Sequence, residues 1–271
     1  MEQPTNDELL FPQFYAAVKA LRECCGEDGY EKPPIARSEV YNETWMLRLT
    51  LALLHDYKGE FNIDGNKKTI IADIQKAVRK RWISEGGLHP AFKNEGPTWA
   101  DAVIGDIDLG TEMKREIIVD TTDEKLTGIM VIEAKIGSKL SEGITQDENY
   151  NQAARNIACL AKLVLDQEQD KKQVPIGKCR FVVFGPKEKI KSWKGIERAC
   201  GIINEAKGVV SEQDRDINVK DKAYAKLTKE CLVDAVKTIS DQSTAIAWED
   251  IIKATKCPVL DCFYKQVLKE V

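Results

Sequence analysis

Apolar positions along the chain follow two periods, one typical of helices and one typical of strands. Residues such as Leu47, Leu51 and Leu54 recur at helical spacing, whereas short β-prone runs closed by turn residues indicate strands. The pattern predicts helices at residues 11–21, 38–57, 69–83, 147–167, 192–205, 222–239 and 248–255, and a short apolar segment at 259–267. It predicts strands at residues 99–104, continuing toward 109, and at 116–120, 128–136, 179–184 and, as a small edge strand, 245–248. Residues 86–97 contain Gly and Pro and are predicted to be a loop.

These elements predict an α/β fold with a mixed central sheet of about four to five strands flanked by helices. Four consecutive apolar residues, Ile129 to Ile132, suit a strand that is covered on both faces. The simplest organisation is a single domain over residues 1–271, because the sequence contains no internal repeat. Within it we expect a core at about 38–185, a helical lead-in at 1–37 and a mostly helical C-terminal extension at 186–271.

The amino-acid composition indicates a globular protein and argues against several kinds of site. The 271 residues are 43% apolar and 31% charged, which is a globular balance, and the formal net charge of -4 means that any nucleic-acid contact requires a local basic strip. The 8 cysteines form no CxxC pair, so a zinc site is not expected. Acidic residues such as Glu2 and Asp7 replace the basic start of a signal peptide, so we expect reduced core thiols and a cytoplasmic location. No apolar run has the length of a membrane span.

Two charged residues stand at the end of the most apolar predicted strand. Side chains alternate along a strand, so Glu133 and Lys135 lie on the same face and Ala134 on the other. Burying charges there is costly unless they are paired. Glu133 and Lys135 therefore form an ion pair, or they bind a metal ion and a phosphate.

Four elements follow in a suggestive order: Glu43 on a helix, Asp101 on a strand, Glu133-Ala134-Lys135 on a later strand and Gln152 on the next helix. This order resembles the PD-(D/E)XK phosphodiesterase superfamily, which has the restriction-endonuclease-like fold. The resemblance covers about residues 38–184. Its motifs are Thr98-Trp99-Ala100-Asp101-Ala102-Val103-Ile104, Val131-Ile132-Glu133-Ala134-Lys135-Ile136-Gly137-Ser138-Lys139-Leu140-Ser141 and Tyr150-Asn151-Gln152-Ala153-Ala154-Arg155-Asn156. Ala100 stands where the family has Pro, which is often replaced.

The resemblance implies a set of roles for these residues. Asp101, Glu133 and the backbone carbonyl of Ala134 would bind Mg²⁺, with Mn²⁺ as a substitute. Lys135 would lie against the phosphate and the attacking water. Glu43 would bind a second metal ion or orient water, and Gln152 would hold the site or a phosphate by hydrogen bonds.

Several assignments stay open at this point. Glu39 competes with Glu43, and both could be first-turn carboxylates favoured by the helix dipole. Asp106 and Asp108 are alternative metal ligands. His89 is expected to be structural. The residues that could contact a nucleic-acid backbone are Arg79, Lys80, Arg81, Lys93, Lys139 and Arg155, although such residues can equally be solvated or ion-paired. Trp248-Glu249-Asp250 resembles a motif of some relatives, or begins an amphipathic helix with a buried Trp.

The expected function is that of a Mg²⁺-dependent nuclease, an endonuclease or exonuclease. DNA is favoured over RNA as its substrate, in bacterial defence, restriction or repair. A homodimer, and a partner protein or small-molecule activator, are further expectations from the resemblance; a membrane partner is not expected. The alternative is a catalytically silent module that binds nucleic acid or scaffolds an assembly. A third interpretation is an α/β protein in which Glu133 and Lys135 form only a structural ion pair.

Overall fold

A mixed five-stranded sheet forms the centre of the protein, in the order β1-β2-β5-β6-β7. The computed structural model describes residues 12–26, 35–63, 65–92, 95–137, 152–167, 173–192 and 222–270. The strands are β1 (Trp82–Leu88), β2 (Thr98–Gly105), β3 (Ile107–Leu109), β4 (Ile117–Val119), β5 (Ile129–Ala134), β6 (Arg180–Gly185) and β7 (Thr244–Ala247). Strand β2 is antiparallel to both β1 and β5, whereas β5, β6 and β7 run parallel to one another. Strands β3 and β4 form a separate antiparallel pair.

Helices cover both faces of the sheet, which confirms the predicted α/β class. They are α1 (Pro12–Cys24), α2 (Arg37–Val40), α3 (Glu43–Asp56), α4 (Asn66–Lys80), α5 (Gln152–Leu165), α6 (Lys187–Ser192), α7 (Lys222–Gln242), α8 (Trp248–Thr255) and α9 (Pro258–Glu270). Met130 and Ile132 of β5 belong to a core shared with α1, α3, α4, α8 and α9. Ile129 and Val131 belong to a second core shared with α5 and α7. The uniformly apolar run in β5 thus has the two-sided burial that its sequence predicts.

Strand β1 is the largest departure from the predicted elements. Its residues were expected to end a helix and begin a loop, partly because of Gly86 and Gly87. A Cβ atom on Gly86 would lie 2.9 Å from side-chain atoms of both Val103 and Ile117. Glycine is therefore required for close packing against β2 and β4, and here it marks a strand rather than a turn.

Two further elements are interrupted within their predicted extents. The helix expected at 38–57 is broken, because the side chain of Asn42 caps α3 by accepting a hydrogen bond from the backbone N–H of Trp45 at 3.0 Å. The strand expected to continue toward 109 ends at Gly105, whose φ is 115° and whose Cβ would lie 2.0 Å from the carbonyl oxygen of Gly128. The chain then leaves the central sheet as β3, and β4 pairs with β3 rather than with β2.

Other predictions are confirmed within the described ranges. Strands β5, β6 and the edge strand β7 lie where they were expected, as does α8, whereas α4 begins and ends about three residues earlier than predicted. Residues 147–151 and 193–205 of two predicted helices lie outside the described residues. The cysteines are not all core residues as expected, because Cys231 and Cys262 are exposed. Among the described helices, none combines the length and the apolar character that crossing a membrane requires.

Candidate active site

Asp101 and Glu133 are brought together where strands β2 and β5 begin to separate. The ladder between these strands ends with the pair Ala102↔Ile132, so the same register sets Asp101 opposite Glu133 one residue further on. The backbone N–H of Ala134 donates a hydrogen bond to Oδ2 of Asp101 at 2.7 Å. Backbone geometry therefore fixes the β2 carboxylate beside the end of β5.

Helix α5 supplies the hydrogen-bond donors for Glu133, whose side chain is fully buried. Nε2 of Gln152 lies 2.8 Å from Oε2 of Glu133, and Nδ2 of Asn156 lies 2.9 Å from Oε1. Gln152 and Asn156 are one helical turn apart, so both reach the same carboxyl group. Oδ1 of Asn156 is buried and has no hydrogen-bond partner among the described residues.

Lys135 lies on the same face as Glu133, as the alternation of a strand requires. Its Nζ is 3.3 Å from Oε2 of Glu133 and 4.0 Å from Oδ2 of Asp101, and only 10% of its side chain is exposed. The ammonium group therefore stands between two carboxyl groups at the margin of the core.

Glu43, in the first turn of α3, reaches the segment just after β5. Its Oε2 accepts a hydrogen bond from the backbone N–H of Ile136 at 2.9 Å. The competing residue Glu39 instead accepts from the N–H of Ala36 at 3.1 Å, at the start of α2. Of the two carboxylates that the sequence left open, Glu43 is the one beside Lys135.

The pKa values of Glu133 and Lys135 are both raised at this site. Burial, followed by the negative charge of Asp101 and a hydrogen bond between the two carboxyl groups, raises the pKa of Glu133 from 4.5 to about 8. Burial alone would lower the pKa of Lys135, but Glu133, Asp101 and Glu43 outweigh it and raise that pKa above its ordinary value. Lys135 consequently keeps its charge, while the carboxyl pair requires a proton or a further cation.

This donor set fits a hard divalent cation. Carboxylate oxygens are the ligands that Mg²⁺ prefers, and the carboxyl groups of Asp101 and Glu133 lie on adjacent strands beside the same lysine. The side chain of Asp101 is 28% exposed, so the pair is accessible from solvent on that side.

The arginines that were candidates for nucleic-acid contact are held by the protein itself. Arg79 donates to the backbone carbonyls of His55 and Tyr57 at the end of α3. Arg81 forms an ion pair with Asp108. Nη2 of Arg155 lies 2.6 Å from the carbonyl oxygen of Gly96 and so fixes the segment before β2. Lys93 and Lys139 lie outside the described residues.

Asp106 occupies the other end of β2 and is a structural residue. Its Oδ2 accepts from the backbone N–H groups of Thr127 and Gly128, each at 2.6 Å, and its Oδ1 lies 2.7 Å from Nζ of Lys80. These three donors hold the turn before β5 against the end of β2. Asp106 and the ion-paired Asp108 therefore have partners that account for them without a metal ion.

A second group of possible metal ligands comprises His89, Glu112 and Glu116, whose ligand atoms lie within 4.8 Å of one another. Nε2 of His89 lies 2.6 Å from Oε1 of Glu116, and the N–H of Glu112 donates to its Oε2 at 2.7 Å. Both oxygens of the buried carboxylate thus have partners. Through Glu116, His89 contacts the loop before β4, and its structural role stays a prediction.

Two residues near the site escaped the sequence-based assignment. Asn156 belongs to the polar stripe of α5, and its position one turn after Gln152 is the signal that could have identified it. Nζ of Lys189 lies 2.5 Å from the carbonyl oxygen of Ile136 and 2.9 Å from that of Gly137. No spacing in the sequence links Lys189 to Lys135.

The Trp248-Glu249-Asp250 motif is accounted for by packing. Trp248 is fully buried and stacks on Phe184 with ring centroids 4.9 Å apart. Oε1 of Glu249 accepts from the hydroxyl of Tyr264 at 2.9 Å, and Oδ2 of Asp250 lies 2.6 Å from Nζ of Lys67. The motif joins α8 to its neighbours.

A comparison of the chain with protein-family models, curated proteins and solved structures found no match. Any functional assignment therefore depends on the residues and geometry described above.

Proposed function

We propose that the protein is a metal-dependent phosphodiesterase that hydrolyses nucleic acid, with DNA favoured over RNA and with Mg²⁺, or Mn²⁺ in its place, as the metal ion. One observation supports this most strongly. A buried glutamate with a raised pKa lies opposite a second carboxyl group on the neighbouring strand, and a charged lysine lies 3.3 Å away. Perturbed ionisable groups in such an arrangement are typical of active sites.

The metal ion would be held by Asp101 and Glu133, with the backbone carbonyl of Ala134 as a third oxygen ligand. When bound, such an ion polarises a phosphate and lowers the pKa of a coordinated water. The structure supports this assignment because Asp101 and Glu133 come from adjacent strands and are held in position by the backbone of β5 and by α5, respectively.

Lys135 would stabilise the negative charge that develops on the phosphate in the transition state. Its ammonium group remains charged because Glu133, Asp101 and Glu43 raise its pKa. Gln152 and Asn156 orient Glu133, and Glu43 fixes the backbone after Lys135. This division of roles agrees with the resemblance to the PD-(D/E)XK superfamily.

A purely structural ion pair explains the site less well. A glutamate and a lysine alone would neutralise each other, and the lysine would lower the pKa of the glutamate. Here burial and the negative charge of Asp101 together outweigh Lys135, and the pKa of Glu133 is raised. Natural cores rarely retain such an arrangement without a functional reason.

The test is a nuclease assay with plasmid, single-stranded DNA and RNA in Mg²⁺, Mn²⁺ and EDTA. We expect metal-dependent cleavage that is lost in Asp101→Asn and in Lys135→Gln. Glu39→Gln is the matched control, because it removes a nearby carboxylate outside the site. Cleavage that persists in either site variant would overturn the mechanism. An inactive wild type that binds neither Mg²⁺ nor Mn²⁺ would favour a non-catalytic module.

A further inference from the structure

An unusual backbone conformation lies directly across from Asp101. Strands β1 and β2 pair at Ser84↔Ala102 and at Gly86↔Ala100, so Glu85 stands opposite Asp101. Glu85 has a φ of 54°, in the left-handed region that residues other than glycine seldom adopt. Such strain persists where the surrounding structure enforces it, and it is concentrated at functional sites.

Glu85 orients two arginines beside the candidate active site. Nη2 of Arg48, from α3, lies 3.0 Å from Oε1 of Glu85, and Arg115 pairs with Oε2. Arg115 also has a positive φ, of 52°. Two guanidinium groups share one carboxylate, so this group of three side chains has a net positive charge.

The two guanidinium groups have unused hydrogen-bonding capacity. The Cζ atom of Arg48 lies 4.7 Å from the centroid of the Trp45 ring, which fixes its direction. The side chain of Arg48 is 24% exposed. The side chain of Arg115 is 42% exposed. Guanidinium groups held in this way are suited to bind phosphate.

Trp99 adds an exposed aromatic ring on the same strand as Asp101. Thr98 lies 3.6 Å from the thiol of Cys159 on α5, and Ala100 belongs to the core on that side. Trp99 therefore points to the opposite face of β2, two residues before Asp101. Trp99 is 45% exposed, although it is a large apolar residue.

Gly87 allows the indole ring to lie close to β1. Trp99 and Gly87 are paired across the two strands, and a Cβ atom on Gly87 would lie 3.2 Å from Cζ3 of Trp99. The indole ring of Trp99 thus lies against the backbone of Gly87, while nearly half of the surface of Trp99 faces solvent. An indole supported in this way can stack on an unpaired base.

We propose that Trp99, Arg48 and Arg115 form a surface that binds single-stranded nucleic acid beside the active site. The arginines contact backbone phosphates, and Trp99 stacks on a base next to the bond that is cut. Aromatic stacking with basic side chains along the backbone is the usual combination for single strands. The inference extends the proposed function, because it specifies the strandedness of the substrate for the same site.

This surface differs from the basic residues that the sequence suggested. Arg79 and Arg155 are bonded to backbone carbonyls, and Arg81 is paired with Asp108. None of these three contacts includes a residue of the candidate active site. Arg48 and Arg115, by contrast, are bonded to the residue that faces Asp101.

The test measures binding in EDTA, where the metal-dependent reaction cannot occur. Fluorescence anisotropy is recorded with a labelled single strand of about 12 nucleotides, as DNA and as RNA, and with a DNA duplex. We expect Trp99→Ala to weaken single-strand binding about tenfold or more, and Trp99→Phe to restore most of it because Phe also stacks. Leu109→Ala, which alters another exposed apolar residue, is the matched control and should bind like wild type.

The salt dependence of binding tests the arginines separately. Arg115→Gln should reduce the slope of log K against log salt by about 0.7, which corresponds to one phosphate contact on a single strand. Arg81→Gln should leave the slope unchanged. A lowered slope in Arg81→Gln but not in Arg115→Gln would overturn the assignment in favour of the other surface.

The outcomes separate this inference from the proposed function. If wild type cleaves nucleic acid but Trp99→Ala and Arg115→Gln bind single strands normally, the function stands and the surface is wrong. If wild type binds single strands through Trp99 without cleaving any substrate, the surface stands and the function fails. Preference for the duplex, or no binding of either DNA or RNA single strands, would also overturn the proposed surface. Circular dichroism melting curves confirm that each variant is folded.

Discussion

Glu133 and Glu116 are both buried glutamates, yet their pKa values shift in opposite directions. Burial alone would raise the pKa of Glu116, but the hydrogen bond from His89 and the backbone N–H of Glu112 outweigh it, and the pKa falls below its ordinary value. Burial also raises the pKa of Glu133, and there the neighbouring Asp101 adds to the shift. The difference lies in the depth of burial as well as in the neighbours, because burial is the largest cause of the raised pKa of Glu133, whereas the donors to Glu116 outweigh it.

The comparison separates a structural carboxylate from a candidate functional one. Glu116 has donors for both oxygens and fixes the loop before β4. Glu133 also has donors, from Gln152 and Asn156, but it shares its surroundings with a second carboxyl group. A like-charged pair gains stability by binding a cation, whereas a satisfied carboxylate does not need one.

The largest expected effect is on cleavage. Glu133→Gln should reduce the cleavage rate by about 100- to 1000-fold, because it removes a charged group at the reacting centre. Glu116→Gln, the same substitution at the structural site, should change the rate per folded molecule by no more than a few-fold. Initial rates with saturating Mg²⁺ measure both. Equal losses in the two variants would remove the distinction between the two glutamates.

The next largest expected effect is on the free energy of unfolding of Glu133→Gln at alkaline pH. The pKa of Glu133 in the folded protein is about 8 against an ordinary 4.5, so its contribution to stability is fully present below about pH 4.5 and is lost as pH rises through about 8. In EDTA, Glu133→Gln should therefore gain stability over wild type as the pH rises, by on the order of a few kcal/mol at pH 9. Urea unfolding at a series of pH values measures the difference. A gap that is independent of pH would show that Glu133 titrates normally.

Glu116→Gln should behave in the opposite way. The lowered pKa of Glu116 means that its ionised form stabilises the protein above the ordinary value of 4.5, and that this contribution disappears as pH falls through the lowered pKa. At pH 7 the substitution should cost about 1.5–3 kcal/mol, as expected for hydrogen bonds to a charged group. The same unfolding series checks this, and the cost should shrink on acidification. A variant as stable as wild type at pH 7 would contradict the structural role.

Asn156 should show the smallest effect. Removing a residue that orients a metal ligand typically weakens metal binding by about 10-fold or somewhat more. Asn156→Ala should therefore weaken Mn²⁺ binding by about that factor, which calorimetry can measure. Ser240→Ala is a suitable control, because Ser240 is also a buried polar residue but lies on α7. Unchanged Mn²⁺ affinity in Asn156→Ala would show that Gln152 alone positions Glu133.

The sequence predicted the half of the site that depends on local pattern. The apolar run of β5 indicated a buried strand, and alternation put Glu133 and Lys135 on one face, where the structure has them. The proximity of Asp101 to Glu133 could be proposed only from the resemblance, because the sequence of neither strand alone determines the register between β2 and β5.

Features that depend on tertiary packing could not be predicted. The glycines of β1 indicated a loop, because nothing local shows that Gly86 faces Val103 and Ile117 in a crowded interior. For the same reason, Glu85 was not recognised as the residue across from Asp101. Arg48 and Arg115 are far apart in sequence, and only the fold brings them to one carboxylate.

The most direct test of the metal site is a crystal structure of the protein grown with Mn²⁺, read from the anomalous difference map. The account predicts a peak between the carboxylates of Asp101 and Glu133, which should be absent from crystals of Asp101→Asn. If wild-type crystals grown in saturating Mn²⁺ show no peak at that position, or a peak only at His89 and Glu116, the account is contradicted.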